Sequence, residues 1–117
     1  MQQRDKIVIE KMISEIEIGH GMLNGISLES FLADEKLMRA TGMTIINVGE
    51  LAKIISDEMR AEHGEVPWKG IAGMRDITAH RYQTLRMEDV YVTATKTFPE
   101  ISGQLQSILD CSDPKQD

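Results

Sequence analysis

Apolar residues recur at helical spacing along most of the chain. Between Arg4 and Leu23, the residues Ile9, Met12, Ile13, Ile16 and Leu23 form one stripe, with Glu10, Lys11, Glu15 and Glu17 around the rest of the turn. That pattern predicts an amphipathic helix. Gly19, Gly21 and Gly25 weaken its end, and His20 reads as an ordinary helix-end histidine. Ser27 then suits the cap of a short helical turn in which Phe31 plugs the end of the bundle. Asp34 caps a long predicted helix reaching Glu62, whose stripe is Leu37, Met38, Ile45, Val48, Leu51, Ala52, Ile55 and Met59. Ile46 and Ile54 lie off that stripe, and a second protomer is the simplest owner of such a surface. Gly64 is the expected C-cap, with His63 in the last turn.

Pro67 has no N–H and fits the first turn of a third helix, predicted to run to about His80. At about 100° per residue, Trp68, Ile71, Arg75, Thr78, Ala79 and Tyr82 share one stripe, apolar but for its arginine. Gly70 and Gly73 within this helix cost about 1 kcal/mol each relative to alanine, so close approach of another helix or of a substrate backbone is expected there. After a loop through Gln83 and Thr84, Met87 or Glu88 opens the last helix. Pro99 is expected to kink it, and Ile101, Leu105, Ile108 and Leu109 complete the core. The predicted fold is all-α: an antiparallel four-helix up-and-down bundle with a short extra helical turn and a kinked last helix. One domain is expected over residues 1–112, with a frayed tail at 113–117.

Composition agrees with helices. Aromatic residues make up 4% of the 117 positions and there are 3 prolines, while Met, Ile, Leu, Glu and Lys are frequent. The single cysteine, Cys111, allows no internal disulfide and suits a reducing cytoplasm. Met1 to Lys6 carries charge and leads into an amphipathic pattern, so neither a signal peptide nor a membrane span is expected. The net charge of −6 argues against nucleic-acid binding through the bulk field. Between Pro67 and Arg86, however, Lys69, Arg75, Arg81 and Arg86 face only Asp76, which is +3 locally and leaves −9 elsewhere. Such a patch fits one confined contact with a polyanion, or an ordinary solvated face.

The third helix holds the concentrated chemistry. A guanidinium on a packing face needs a partner or a wet cleft, so Arg75 marks a site or simply pairs with a neighbouring carboxylate. Glu50, off its own stripe, is either that partner or a solvated glutamate. Asp76 and His80 stand one turn apart, close enough for the carboxylate to orient the imidazole. Arg75 and His80 lie about 140° apart on an ideal wheel and converge only if the helix ends near His80 or a second chain completes the site. There is no phosphate-binding glycine loop, no nucleophile elbow and no histidine pair for a metal, so no cofactor is expected. Metal-free acid/base and electrostatic chemistry remains.

The run Arg75-Asp76-Ile77-Thr78-Ala79-His80-Arg81-Tyr82 resembles the Arg-x4-His-x-Tyr signature of the HepT-like branch of the HEPN ribonucleases. Pro67-Trp68, Ile71, Gly73-Met74 and Gly49-Glu50 extend the likeness over most of the chain. Leu51 and Arg86 depart from the family pattern. The resemblance implies a metal-independent endoribonuclease toxin of a bacterial or archaeal toxin–antitoxin pair, with two motif copies meeting across a homodimer. It implies His80 as acid/base, Arg75 on the phosphate, Asp76 orienting His80, and Lys69 and Arg81 as further phosphate contacts. It also implies that a cognate MntA-like nucleotidyltransferase antitoxin attaches AMP to Tyr82, where the residues alone suggest an amphipathic tyrosine at the bundle end. The other reading is a non-catalytic helical module that partners such a nucleotidyltransferase.

Overall fold

The main helix is α3 (Glu35–Lys53), and the other long elements pack around it. A computed structural model describes residues 1–111; the expected tail at 113–117 lies outside the described residues. The remaining elements are α1 (Gln3–Met22), α2 (Leu28–Leu32), α4 (Asp57–Glu62), α5 (Trp68–His80), α6 (Met87–Val92) and α7 (Phe98–Cys111). The fold is the expected all-α bundle. α3 packs against α5 on one side and α1 on the other, and α1 in turn packs against α7. Among the described residues no helix is long and apolar enough to cross a membrane.

Both predicted caps form: Ser27 Oγ accepts from Ser30 N at 3.1 Å and Asp34 Oδ1 accepts from Leu37 N at 3.0 Å. Phe31 is fully buried, and its ring meets Tyr91, whose hydroxyl donates to the Ile26 carbonyl. The core joins Ile9, Met12 and Ile16 of α1, Val48 and Ala52 of α3, and Phe98, Leu105 and Ile108 of α7. Two threonines are buried in α3 among these apolar groups. Thr41 and Thr44 hold their hydroxyls on the Leu37 and Ala40 carbonyls one turn back, so neither strands a donor in the core. Gly19 lets α1 come close at this level, since a Cβ there would lie 2.6 Å from Thr44 Cγ2.

The expected helix from Asp34 to Glu62 is in fact two. α3 stops at Lys53 and α4 begins after Ser56, whose hydroxyl accepts from Met59 N. Two charged residues hold the turn between them. Asp5, buried in the first turn of α1, accepts from Ser56 N at 3.0 Å and Ser56 Oγ at 2.6 Å. From the other side, Arg60 Nη2 donates to the Lys53 carbonyl at 2.8 Å and to the Ala52 carbonyl at 3.2 Å, at the end of α3. The turn buries Ile55 and leaves Ile54 exposed. The expected C-cap at Gly64 falls instead on His63, and Gly25 is the one described residue with positive φ (78°).

The irregularity expected at Pro99 lies just before it, and α7 restarts at Phe98. A five-residue π turn, Thr93–Thr97, joins α6 to α7 through residues that stay in the helical region. Proline lacks the donor for the carbonyl four residues back and its ring crowds that carbonyl; a wider turn just before it relieves both problems.

Replacing Asp5 with alanine strands the Ser56 amide and hydroxyl in a poorly hydrated corner. The expected loss is about 1–3 kcal/mol, read from urea unfolding. An unchanged midpoint would mean that the turn does not depend on this contact.

Candidate functional site

The site is built where α5 lies in a groove of α3. Gly42 and Gly49 stand seven residues apart on α3 and so share a face. A methyl group on Gly49 would overlap Arg75 Cβ and come 2.9 Å from Arg75 Cγ and 3.0 Å from the Ile71 carbonyl oxygen. One on Gly42 would come 3.1 Å from Tyr82 Cε1 and 3.8 Å from Thr78 Cγ2. The close approach expected at Gly70 and Gly73 is therefore on the partner helix instead. A Cβ on Gly73 would meet nothing within 4 Å, and one on Gly70 only Pro67 Cβ at 3.7 Å.

Seated this closely, the Arg75 side chain is largely covered, at 22% exposure. Its Nη2 pairs with Glu50 Oε2, and its Nη1 donates to Asp76 Oδ1 at 3.1 Å. Asp76 Oδ1 also accepts from Lys53 Nζ at 2.7 Å. A chain of alternating charge thus crosses from Glu50 through Arg75 and Asp76 to Lys53, back on α3. Glu50 is Arg75's partner and is itself exposed, so both of its readings hold in part, and Arg75 pairs with a neighbouring carboxylate as its simpler reading had it. Arg75 Nε is buried and without a hydrogen-bond partner. The Lys53 ammonium, then the Arg75 guanidinium, hold the Asp76 carboxyl below the ordinary carboxylate value, against its partial burial.

α5 ends at His80, as the wheel required, with Arg81 leaving the helix at φ −128°. His80 is exposed and has no hydrogen bond or ion pair among the described residues. The expected orienting contact from Asp76 is not made in the protomer, because Lys53 and Arg75 draw the carboxylate towards α3. Arg75 and His80 do not touch. Lys69 and Arg81 are both exposed, but lie at opposite ends of α5. At 1.5 Å per residue their separation is roughly 18 Å, so one protomer cannot bring both to a single phosphate.

Tyr82 opens a 3₁₀ turn (Tyr82–Thr84) and is half-buried against Gly42. The Arg39 guanidinium lies over its ring, 5.6 Å from the centroid. Burial pushes the Tyr82 phenol pKa up, and the charge of Arg39 works against that. Lys53, Arg39 and Gly42 were not legible as site residues. The Gly42/Gly49 spacing on one helix face was the available signal for the groove.

The model of the Ribonuclease HepT-like family matches residues 9–108. The chain is 37% identical over 101 residues to a protein of Caldanaerobacter subterraneus provisionally named an RNase, covering 86% of this chain and 90% of that one. It is 27% identical over 108 residues to a protein of Thermococcus cleftensis provisionally named ribonuclease HepT, covering 92% and 98%. A Methanocaldococcus jannaschii protein provisionally named an RNase is 26% identical over 110 residues, covering 93% and 95%. No solved structure matches the chain.

Two outcomes check the groove and its charges. Gly49→Ala drives a methyl group into Arg75 Cβ, an atom that cannot swing aside without moving α5. The expected loss is about 1–3 kcal/mol in urea unfolding, and an unchanged midpoint would mean the helices separate freely. The folded Asp76 pKa lies below 3.8, so its stabilisation is present above that value and lost as pH falls through the lower, folded one. The stability difference between the native protein and Asp76→Asn should hold from neutral pH to about pH 5 and shrink below it. A difference that stays the same at strongly acid pH would exclude the pairing as its source.

Proposed function

The chain belongs to the HepT-like ribonuclease family, and on that premise we propose that it is a metal-independent endoribonuclease, the toxin of a toxin–antitoxin pair. The observation that carries this reading is the setting of Arg75. A largely covered guanidinium is fixed by Glu50 and Asp76 five residues before an exposed, unpartnered imidazole at the helix end. Such an arrangement is costly for stability alone and useful for holding a phosphate.

RNA brings its own nucleophile. His80 takes the proton from a 2′-OH, whose oxygen attacks the adjacent phosphorus. The bond from phosphorus to the 5′ oxygen then breaks and that oxygen receives a proton, leaving a 2′,3′-cyclic phosphate and a 5′-OH. Imidazole is suited to both transfers because its charge changes near neutral pH. Arg75 spends one contact on Glu50 and one on Asp76, and a guanidinium has five N–H donors, so its Nη edge retains hydrogens for a phosphate oxygen. Arg75 and His80 point apart in one protomer, so the reading includes a homodimer in which the two motif copies face one cleft. Lys69 of one helix and Arg81 of the other then flank different phosphates of the strand. Asp76 acts on Arg75 in this scheme, and orients His80 only if the dimer releases it from Lys53.

Control falls to Tyr82. AMP placed on its hydroxyl by an MntA-like nucleotidyltransferase in the same cytoplasm adds a phosphate beside Arg39 and Arg81 and blocks the RNA path. One observation favours the second reading, a non-catalytic module that only partners such a transferase: Asp76 is committed to Lys53, which leaves His80 without an orienting group.

Purified protein is expected to cut RNA in the presence of EDTA, and His80→Ala to lose roughly 100- to 10,000-fold in rate while its circular dichroism is unchanged. Equal cleavage by the variant would discard the ribonuclease reading in favour of the second. Co-expression with a nucleotidyltransferase should give Tyr82 an adduct of AMP mass, and intact mass spectrometry that finds none would remove the proposed control.

A further inference from the structure

Beside the end of α5 there is a recess of about 200 Å³ between α3 and α5. Gly42, Met43, Ile46 and Ala79 form its walls, and Arg39 and Tyr82 close one side. We infer that this recess is a nucleobase subsite, which takes one unpaired base of the RNA beside the phosphate that His80 and Arg75 serve. The inference rests on the ribonuclease reading and adds to it how the strand is gripped.

Size points to a single ring system. Pockets for drug-sized ligands run to roughly 300–1,000 Å³, so this one holds a base and leaves its sugar and phosphate outside. The wall chemistry fits as well. Met43 is 54% exposed and Ile46 partly covered, so the recess presents apolar surface to water in the protomer. A base edge-on to a tyrosine, beneath a guanidinium plane, is the arrangement by which single-stranded RNA is held without reading its sequence. Arg39 is free to serve, because its pair with Glu35 is solvated on both sides, at 64% exposure each. Its guanidinium lies over the Tyr82 ring, 5.6 Å from the centroid, and its Nε donates to Glu35, so the Nη groups remain for a phosphate.

Position ties the recess to the reaction. Ala79 is the residue before His80, and Tyr82 is two residues after it. A strand whose base enters the recess therefore has its backbone at the helix end, where the imidazole is exposed. The floor is a glycine for the same reason that α5 can lie so close. Any side chain on Gly42 would push on Tyr82 and occupy the space. A base held there must leave its stack, so the substrate is single-stranded or looped, and apolar walls discriminate bases by size rather than by hydrogen-bonding edge.

The test uses a 2′-O-methyl RNA trinucleotide, which lacks the attacking hydroxyl and is not cut, with three companions that each lack one base. Binding of each to the whole protein is measured by calorimetry. The intact probe should bind about tenfold more tightly than one of the three abasic probes, the size of one lost stacking contact. Arg39→Gln and Gly42→Ala should each bring that ratio close to one, and Met43→Asp does the same test if Gly42→Ala does not fold. Equal binding of all four probes, or a ratio that survives in the variants, overturns the subsite and leaves the recess to a partner protein's side chain. Cleavage of ordinary RNA is scored separately. Cleavage with a ratio of one sinks the subsite alone, whereas a tenfold ratio with no cleavage upholds the subsite and sinks the ribonuclease reading.

Discussion

Everything at this site depends on how closely α5 can approach α3. At Gly49 the distance is so short that the stem of Arg75 occupies the volume a side chain would fill, and at Gly42 the ring of Tyr82 nearly does so. The two glycines forgo helix propensity, about 1 kcal/mol each, and what they gain is position. A guanidinium three methylenes from its backbone is ordinarily free to wander. Here its stem is trapped between helices and its head lies among carboxylates, so its geometry is set before any ligand arrives.

The charges around it depend on where α3 ends. Lys53 is the last residue of α3, and its ammonium reaches Asp76 on the neighbouring α5. The turn after it is held by Asp5 from α1 and Arg60 from α4, one on the Ser56 amide before the next helix and one on the last carbonyls of α3. A helix running on to Glu62 would carry the chain past this corner with no such anchors. The polar groups at the corner hold the end of α3 at the residue that pairs with Asp76, 23 positions on. Arg60 Nε, like Arg75 Nε, remains buried without a partner, so the corner is held at some cost.

The far end of α5 is the opposite kind of place. The side chains of His80 and Arg81 are exposed and make no hydrogen bond or ion pair among the described residues, while Tyr82 is half held by Gly42 and Arg39. Arg75 is the rigid half of the site and His80 the free half, a division suited to a second surface that brings the imidazole into use. Ile77, half exposed on α5, stands near this end.

Periodicity was enough to place α1, the start of α3, the caps at Ser27 and Asp34, and the end of α5 at His80, but not the break after Lys53. These are local matters: a 3.6-residue repeat, a side-chain oxygen three residues from an amide, a helix that runs out of partners. The Arg-x4-His-x-Tyr run was equally open to reading, since it lies within eight residues. What lay beyond the sequence was every choice made by residues distant in the chain. Asp5 reads as a surface charge until Ser56, 51 positions on, meets it. Asp76 could have served His80 on its own helix, but Lys53 from α3 competes for the same oxygen and wins by position. Gly70 and Gly73 looked like the close-packed glycines and are not, because the face a helix buries is decided by its neighbours. Local spacing determines which residues share a helix and a face, while only the packing of one helix on another determines which opposite charges come within reach.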